Sequence, residues 1–334
     1  MFNSSFYLNI DASQIFNTSI NFKIVKVGIT ALVPPEVIYA HGHSSIDVNN
    51  LVPYSQLKPK VKLCAWTAIW RDLIIKREIV LDSLIVVASG DCYNSVVEGE
   101  KVASSGYPVA YFFYPFDGNK KEMEMEIKKL SAFLGGEGDG GVYEKIYELK
   151  RKAMILDEER WKGEIWGKDL FPLIVSFSDL GGSIDEMQKK IEEFDYSNSV
   201  EGIPIALIGV PPIYADFHHI AESIGFHIVF DELPYEFIRL RGKDEEEVAH
   251  NYANYSFARD IKYRINLLKK ELKRRNVKGV IHYTQFPCHH ILEDEILRKE
   301  LPYPMLTLQG DLPQKTPEQI VLRLEAFHEM LEEK

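Results

Sequence analysis

The stretch GVIHYTQFPCHH, residues 279 to 290, places an apolar run directly before a cysteine and two histidines. A short apolar run bounded by turn residues fits a strand of a parallel sheet, covered by helices on both faces. A helical pattern, HHILEDEILRKEL, opens immediately after it. This order puts Cys288 just past the carboxyl end of a buried strand, where open α/β sheets bind their ligands.

The same grammar recurs along the chain. FKIVKVGITAL precedes the helical PPEVIYAHG, KVKLC precedes AWTAIWRDLIIKREI, SLIVVASGDC precedes YNSVVEGEKVASSG, and PVAYFFYPF precedes NKKEMEMEIKKLSAFLGG. A mostly helical middle follows, from about Gly141 to about Ser199. Then IPIALIGVPP, the helical IYADFHHIAESIG and FHIVFDEL alternate, and a long helical stretch runs from about Glu245 to Arg275. The strand YPMLTLQ and the final helix TPEQIVLRLEAFHEMLEEK come after the opening stretch. The alternation predicts an α/β fold: two parallel-sheet lobes, Rossmann-like or flavodoxin-like, joined by a helical segment with a cleft between them. The expected division is residues 1–140, 141–200 and 201–334. GGEGDGG, residues 135 to 141, has the composition of a flexible joint. No repeat of solenoid length is visible.

Composition narrows the function classes. The 334 residues are 46% hydrophobic and 27% charged, with a net charge of −11. A nucleic-acid binder needs a basic face, and the one basic cluster, LLKKELKRRNVKG, reads as the solvated side of a helix. No apolar run reaches the ~18 residues of a membrane span. The opening MFNSSFYLNIDASQIF lacks the basic-then-apolar order of a secretory signal. A cytoplasmic protein with no nucleic-acid or membrane partner is expected.

Three cysteines are too few, and odd in number, for a disulfide framework. Cys64, Cys92 and Cys288 each fall at or just past a strand end and open a helical pattern. Helix N-termini carry partial positive charge and free N–H groups, which would lower thiolate pKa values and stabilise an anionic iron–sulfur cluster. The gaps of 28 and 196 residues match no compact ligand motif. The pattern therefore leaves three readings open: a three-cysteine cluster, buried core cysteines, or zinc completed by His289 or His290.

The C-terminal half resembles the D-component family of 2-hydroxyacyl-CoA dehydratases, which also takes in benzoyl-CoA reductase subunits and double-cubane cluster proteins. IALIGVPPIYADFHHIAESIGFHIVFDEL is similar to the family's strand, Gly-x-Pro turn, helix and strand. The ending, with Cys288 after a strand, Asp311, and the helix carrying Arg323, Glu325, Ala326 and Phe327, matches as well. PPEVIYAHG, Cys64 and Cys92 follow in family order on the N-terminal side. Asp91 before Cys92, Ala65 after Cys64 and His43 depart from the usual pattern.

The resemblance implies that Cys64, Cys92 and Cys288 hold a [4Fe–4S] cluster with one iron open, alone or as part of a larger double-cubane cluster. It implies a low-potential one-electron, ketyl-radical dehydration or reduction of an acyl-CoA thioester. The electron would come from an ATP-hydrolysing iron–sulfur activase, since no Gly-x-x-x-x-Gly-Lys-Ser/Thr loop is present here. A homologous subunit or a second copy would complete a dimer. The alternatives are a double-cubane homodimer reducing a small molecule without CoA chemistry, or a non-catalytic cluster-bearing partner subunit.

Other side chains are candidates for assistance. Glu36 and His41 follow the first strand and could transfer protons or position substrate; otherwise they are a helix-start carboxylate and a capped or solvent-facing imidazole. His289 and His290 could donate to a cluster sulfur or move a proton. Asp311 and Arg323 are expected to form an ion pair. Trp66 and Trp70, four apart on one helix face, read as core.

Overall fold

The opening stretch folds as read: Gly279–Gln285 (β7) is a strand buried at every position. In the computed structural model, the described residues are 25–59, 63–89, 92–196 and 199–333. The opening residues, the segment 60–62 ahead of Cys64, and Asp91 lie outside them.

Eight strands form two four-stranded parallel sheets. The first contains Lys26–Ile29 (β1), Ser44–Asp47 (β2), Ser83–Ser89 (β3) and Val109–Phe113 (β4), in the order β2-β1-β3-β4. The second contains Ile203–Gly209 (β5), Phe226–Asp231 (β6), β7 and Met305–Gly310 (β8), in the order β6-β5-β7-β8. The two lobes thus share one topology, with the strand order reversing direction between the first and third strand of each. Such switch points open a crevice at the carboxyl ends. Ile29 pairs with Ile85 in the first sheet and Ile208 with His282 in the second, so these ends are level within each sheet.

Two expectations need correction, and a third lies mostly outside the described residues: of KVKLC, read as a strand, residues 60–62 are not described, and neither Leu63 nor Cys64 is in a strand. The first sheet's edge is instead Ser44–Asp47, whose half-polar sequence SSID alternates and offers no apolar run. The helical stretch from Glu245 to Arg275 is two helices, Glu245–Tyr252 (α10) and Ile261–Arg274 (α11). The break is stabilised by Glu236 accepting from the Ser256 N–H and by Asp260 capping the Tyr263 N–H. GGEGDGG is a bound turn rather than a free joint. Gly135 and Gly136 both take φ of 76°, a conformation that favours glycine. Asp139 then caps the next helix at the Gly141 N–H and donates its own N–H to the Ala40 carbonyl.

That next helix, Gly140–Trp161 (α5), joins the lobes. Its buried stripe of Tyr143, Ile146, Leu149, Lys150, Ala153, Asp157 and Arg160 follows helical spacing. Three members of that stripe are charged. Lys150 Nζ reaches Glu36 Oε1 at 2.6 Å, the Leu240 carbonyl at 2.9 Å and the Tyr252 hydroxyl at 2.8 Å. Glu36 lies on Pro35–Ala40 (α1) of the first lobe. Asp157 pairs with Arg160 and Arg275, and Arg160 also with Asp231 at the end of β6. Arg275, from the basic cluster, is therefore an internal ion-pair partner. The two hydrophobic clusters likewise each draw on both sheets. No helix of the described residues is long and apolar enough to cross a membrane.

Burial pushes the Lys150 amine down, and the Glu36 charge opposes it. Removing one partner of such a pair costs about 3–5 kcal/mol, whereas replacing both with apolar groups is often neutral. Lys150→Met is therefore expected to lower unfolding free energy by that amount in urea titrations. Glu36→Leu combined with Lys150→Met should recover most of it; a single variant costing under ~1 kcal/mol would contradict the clamp.

Candidate functional site

Cys92 and Cys288 occupy equivalent places in the duplicated topology. β3 ends at Ser89 and β7 at Gln285, and each cysteine stands three residues further on. Cys92 is the N-cap of Tyr93–Ser104 (α3) and Cys288 that of the 3-10 turn His289–Glu293. Cys64 is the N-cap of Ala65–Ile75 (α2). Three chain directions therefore point helix starts, with their N–H groups and partial positive charge, towards one region.

All three cysteines line one cavity of about 440 Å³. The size suits a small ligand. A wider cavity of about 750 Å³ adjoins it, sharing Cys92, Cys288 and His289. The expected depression of the thiol pKa values does not hold at Cys64. Burial pushes that thiol up, against the Thr67 and Trp66 backbone N–H groups that pull it down.

The wall around the sulfurs carries polar atoms without protein partners. Trp66 Nε1, Gln285 Oε1 and His290 Nε2 are buried, make no hydrogen bond, and belong to residues lining this cavity. Trp66 and His290 each stand two residues after a cysteine, and Asn94, in the same place after Cys92, lines the cavity too. Trp70 is core, as expected, but Trp66 is a wall residue. Three thiols plus N–H donors form a donor set that fits an iron–sulfur cluster. Cys288 Sγ and one nitrogen each of His289 and His290 also lie within 4.8 Å of one another, close enough to share a metal ion. His290 Nδ1 bonds Glu293 Oε2 at 2.9 Å. Burial favours protonation of Glu293, but His290 and Arg264 outweigh it and bring the carboxyl to about 2. His289, at the exposed rim, is pushed down to about 4 by desolvation of its ring and by His290 beside it.

Glu36 and His41 are not where the sequence places them: neither lines either of these two cavities. Glu36 is sealed against Lys150 and Tyr252. His41 is buried, with Nδ1 at 2.8 Å from the Val37 carbonyl one helical turn back. Asp311 and Arg323 form no ion pair with each other; Arg323 donates to the Thr307 carbonyl.

Two wall residues escaped the sequence reading. Asp47 ends β2, the strand whose polar alternation hid it. Its N–H donates to Asp179 Oδ2 at 2.8 Å, and its Oδ1 accepts from Asn49. Burial, then the Asp179 charge, pushes the Asp47 carboxyl up to about 7. Burial raises Asp179 as well. The other is His218, on Phe217–Ile224 (α8), paired with Asp231. An acid closing the apolar run FHIVFD was its visible signal.

A family model described as 2-hydroxyglutaryl-CoA dehydratase, D-component, matches residues 142–331, more than half of the 334-residue chain. The chain belongs to that family. The match contains Cys288 and the whole second sheet, and it stops short of Cys64 and Cys92. The family is that of a dehydratase component, which gives this member a 2-hydroxyacyl-CoA dehydratase-type role. No curated protein matches the chain. Solved structures of the SBP FpvC from Pseudomonas aeruginosa, in complex with Ni2+ or with Mn2+, align over 93% of this chain and 98% and 99% of theirs. Their identities are 12% and 14% and their TM-scores 0.23, and a likeness that low carries no argument.

Asp47 sets a pH dependence. Its folded pKa of about 7 exceeds the ordinary 3.8, so the folded state holds the extra proton between those values. Stability present at pH 4 is lost as pH rises through 7, by roughly 3–5 kcal/mol for this one group. Asp47→Asn should flatten that slope in urea titrations from pH 4 to 8. An unchanged slope would show that Asp47 does not hold the proton.

Proposed function

We propose that this chain is the cluster-bearing component of a cytoplasmic 2-hydroxyacyl-CoA dehydratase-type enzyme. Cys64, Cys92 and Cys288 would hold a [4Fe–4S] cluster beside the substrate. The observation that carries this reading is that all three cysteines of the chain, from three different helix starts, wall the same cavity. When bound, a cluster with an open iron supplies a Lewis-acid position and a path for one electron.

The chain's own residues do the rest. The three helix starts offset the negative charge of the thiolates. Trp66 Nε1–H is a donor with no protein partner on the cavity wall and would hydrogen-bond an anionic sulfur there. Gln285 donates its Nε2–H to the Asp311 carbonyl, which leaves Oε1 to accept from a hydroxyl such as the one a 2-hydroxyacyl group carries. Phe171, Pro172, Val175, Leu233 and Phe237 form an apolar wall that keeps water from the reacting centre. An ATP-hydrolysing iron–sulfur activase would deliver the electron. A homologous subunit or second copy would cover the exposed Tyr93, Phe286 and Leu292 at the wider cavity.

One observation favours a second reading. Among the described residues lining the two cavities, Lys168 is the only lysine or arginine, a thin provision for the phosphates of CoA. A double-cubane homodimer reducing a small molecule, or a non-catalytic cluster-bearing subunit, would need no such provision.

Anaerobic purification and reconstitution should yield about four irons and four sulfides per chain. Cys64→Ala, Cys92→Ala and Cys288→Ala should each cut iron content at least about tenfold while leaving the far-ultraviolet circular dichroism unchanged. A 2-hydroxyacyl-CoA should shift the EPR spectrum of the reduced protein under the first reading and not under the second. Full iron content in any of the three variants would overturn the cluster. So would zinc held by Cys288, His289 and His290 in its place.

A further inference from the structure

The cavity wall carries a second arrangement away from the cysteines. The His218 ring is fixed on two sides. Phe171, on Gly167–Val175 (α6), stacks against it with ring centroids 3.8 Å apart. His218 Nε2 lies 2.7 Å from Asp231 Oδ1 at the carboxyl end of β6. Asp231 cannot swing away, because Arg160 holds its other oxygen. Burial would favour a protonated Asp231, but His218 and Arg160 outweigh it and keep the carboxylate charged.

A charged Asp231 accepts the Nε2–H. That leaves Nδ1 as the ring nitrogen with no hydrogen-bond partner among the described residues, on a ring that lines the same cavity as the three sulfurs. A base oriented by a third group and facing a ligand cavity is the arrangement that proton transfer requires. The other buried ion pairs, Glu36 with Lys150, Asp157 with Arg275 and Glu232 with Arg264, line neither cavity.

We propose that His218, oriented by Asp231, is the proton-transfer residue of this cavity. The substrate, the dehydration and its activating electron rest on the dehydratase reading; the orientation of His218 by Asp231 does not. As the carbon–oxygen bond breaks and its electron pair leaves with the hydroxyl, the imidazolium gives its Nδ1 proton to that oxygen and water departs. The neutral imidazole then takes the proton lost from the neighbouring carbon and is an imidazolium again. The substrate loses one hydroxide and one proton in all. His218 exchanges no electrons; the single activating electron comes from a low-potential iron–sulfur reductant and is returned at the end of the cycle.

Two measurements test this. Nitrogen-15 imidazole NMR of the full chain should find neutral His218 with its proton on Nε2, and Asp231→Asn should abolish that preference. In the reconstituted enzyme, His218→Gln should lower kcat about 10²–10⁴-fold, with iron content unchanged and KM within about threefold. A wild-type proton on Nδ1, wild-type turnover in His218→Gln, or loss of iron in that variant would each overturn the proposal. If wild-type protein dehydrates no 2-hydroxyacyl thioester, the dehydratase reading fails by itself. The tautomer then decides the role of the His218–Asp231 pair.

Discussion

The arrangement of the site depends on α5 and on the three charges it buries. Lys150 points into the first lobe and holds Glu36. Asp157 and Arg160 point into the second and hold Arg275 and Asp231. Each pair is desolvated, so its net contribution to stability is small, but its directionality is strict. Apolar contacts alone would let two sheets slide and rotate with little cost. Hydrogen-bonded charges tolerate no such movement, because a displaced buried charge loses partners that water cannot replace. The angle between the sheets sets the distance between Cys92 and Cys288, and ligand groups must be held to within fractions of an ångström.

The same helix ties the clamp to the chemistry. Arg160 holds Asp231, Asp231 holds His218, and His218 lines the cavity. A change on the buried side of α5 is therefore felt at the wall through three side chains. The duplicated strand order explains the placement of two cysteines but not the third. Cys92 and Cys288 are counterparts after the third strand of each sheet, whereas Cys64 has none in the second lobe. There the corresponding wall is built from α6 and α8, with Phe171 and His218. Under the proposed function, two sulfurs from one lobe and one from the other would leave that side to residues that handle substrate and protons.

How far the sequence reveals this depends on the range of the interaction. β3, β5, β6 and β7 are legible because burial on both faces demands unbroken apolar runs. The cysteines are legible because each adjoins a recognisable helix start. The edge strand SSID is not, since a strand with one polar face resembles a loop in so short a span. The sequence leaves the role of Glu36 open because its partner Lys150 lies 114 residues away, a pairing that no local pattern encodes. His218 and Asp231 are only 13 residues apart. They remained hidden because apolar periodicity says nothing about which polar side chain of a helix turns towards a strand end.

The polar atoms left over by folding carry the last step. Trp66 Nε1, His290 Nε2 and Gln285 Oε1 are buried without protein partners, and an unmet buried group costs about 1–3 kcal/mol. Whatever gives them partners stabilises the folded chain by the same linkage that couples any ligand to folding. Their chemistry differs in sign. The indole N–H can only donate, so it demands an acceptor such as an anionic sulfur or a carbonyl. The Gln285 carbonyl can only accept, so it demands a hydroxyl or an N–H. The wall thus calls for an acceptor beside Cys64 and a donor beside Cys288, two demands that the proposed cluster and a hydroxylated substrate would meet.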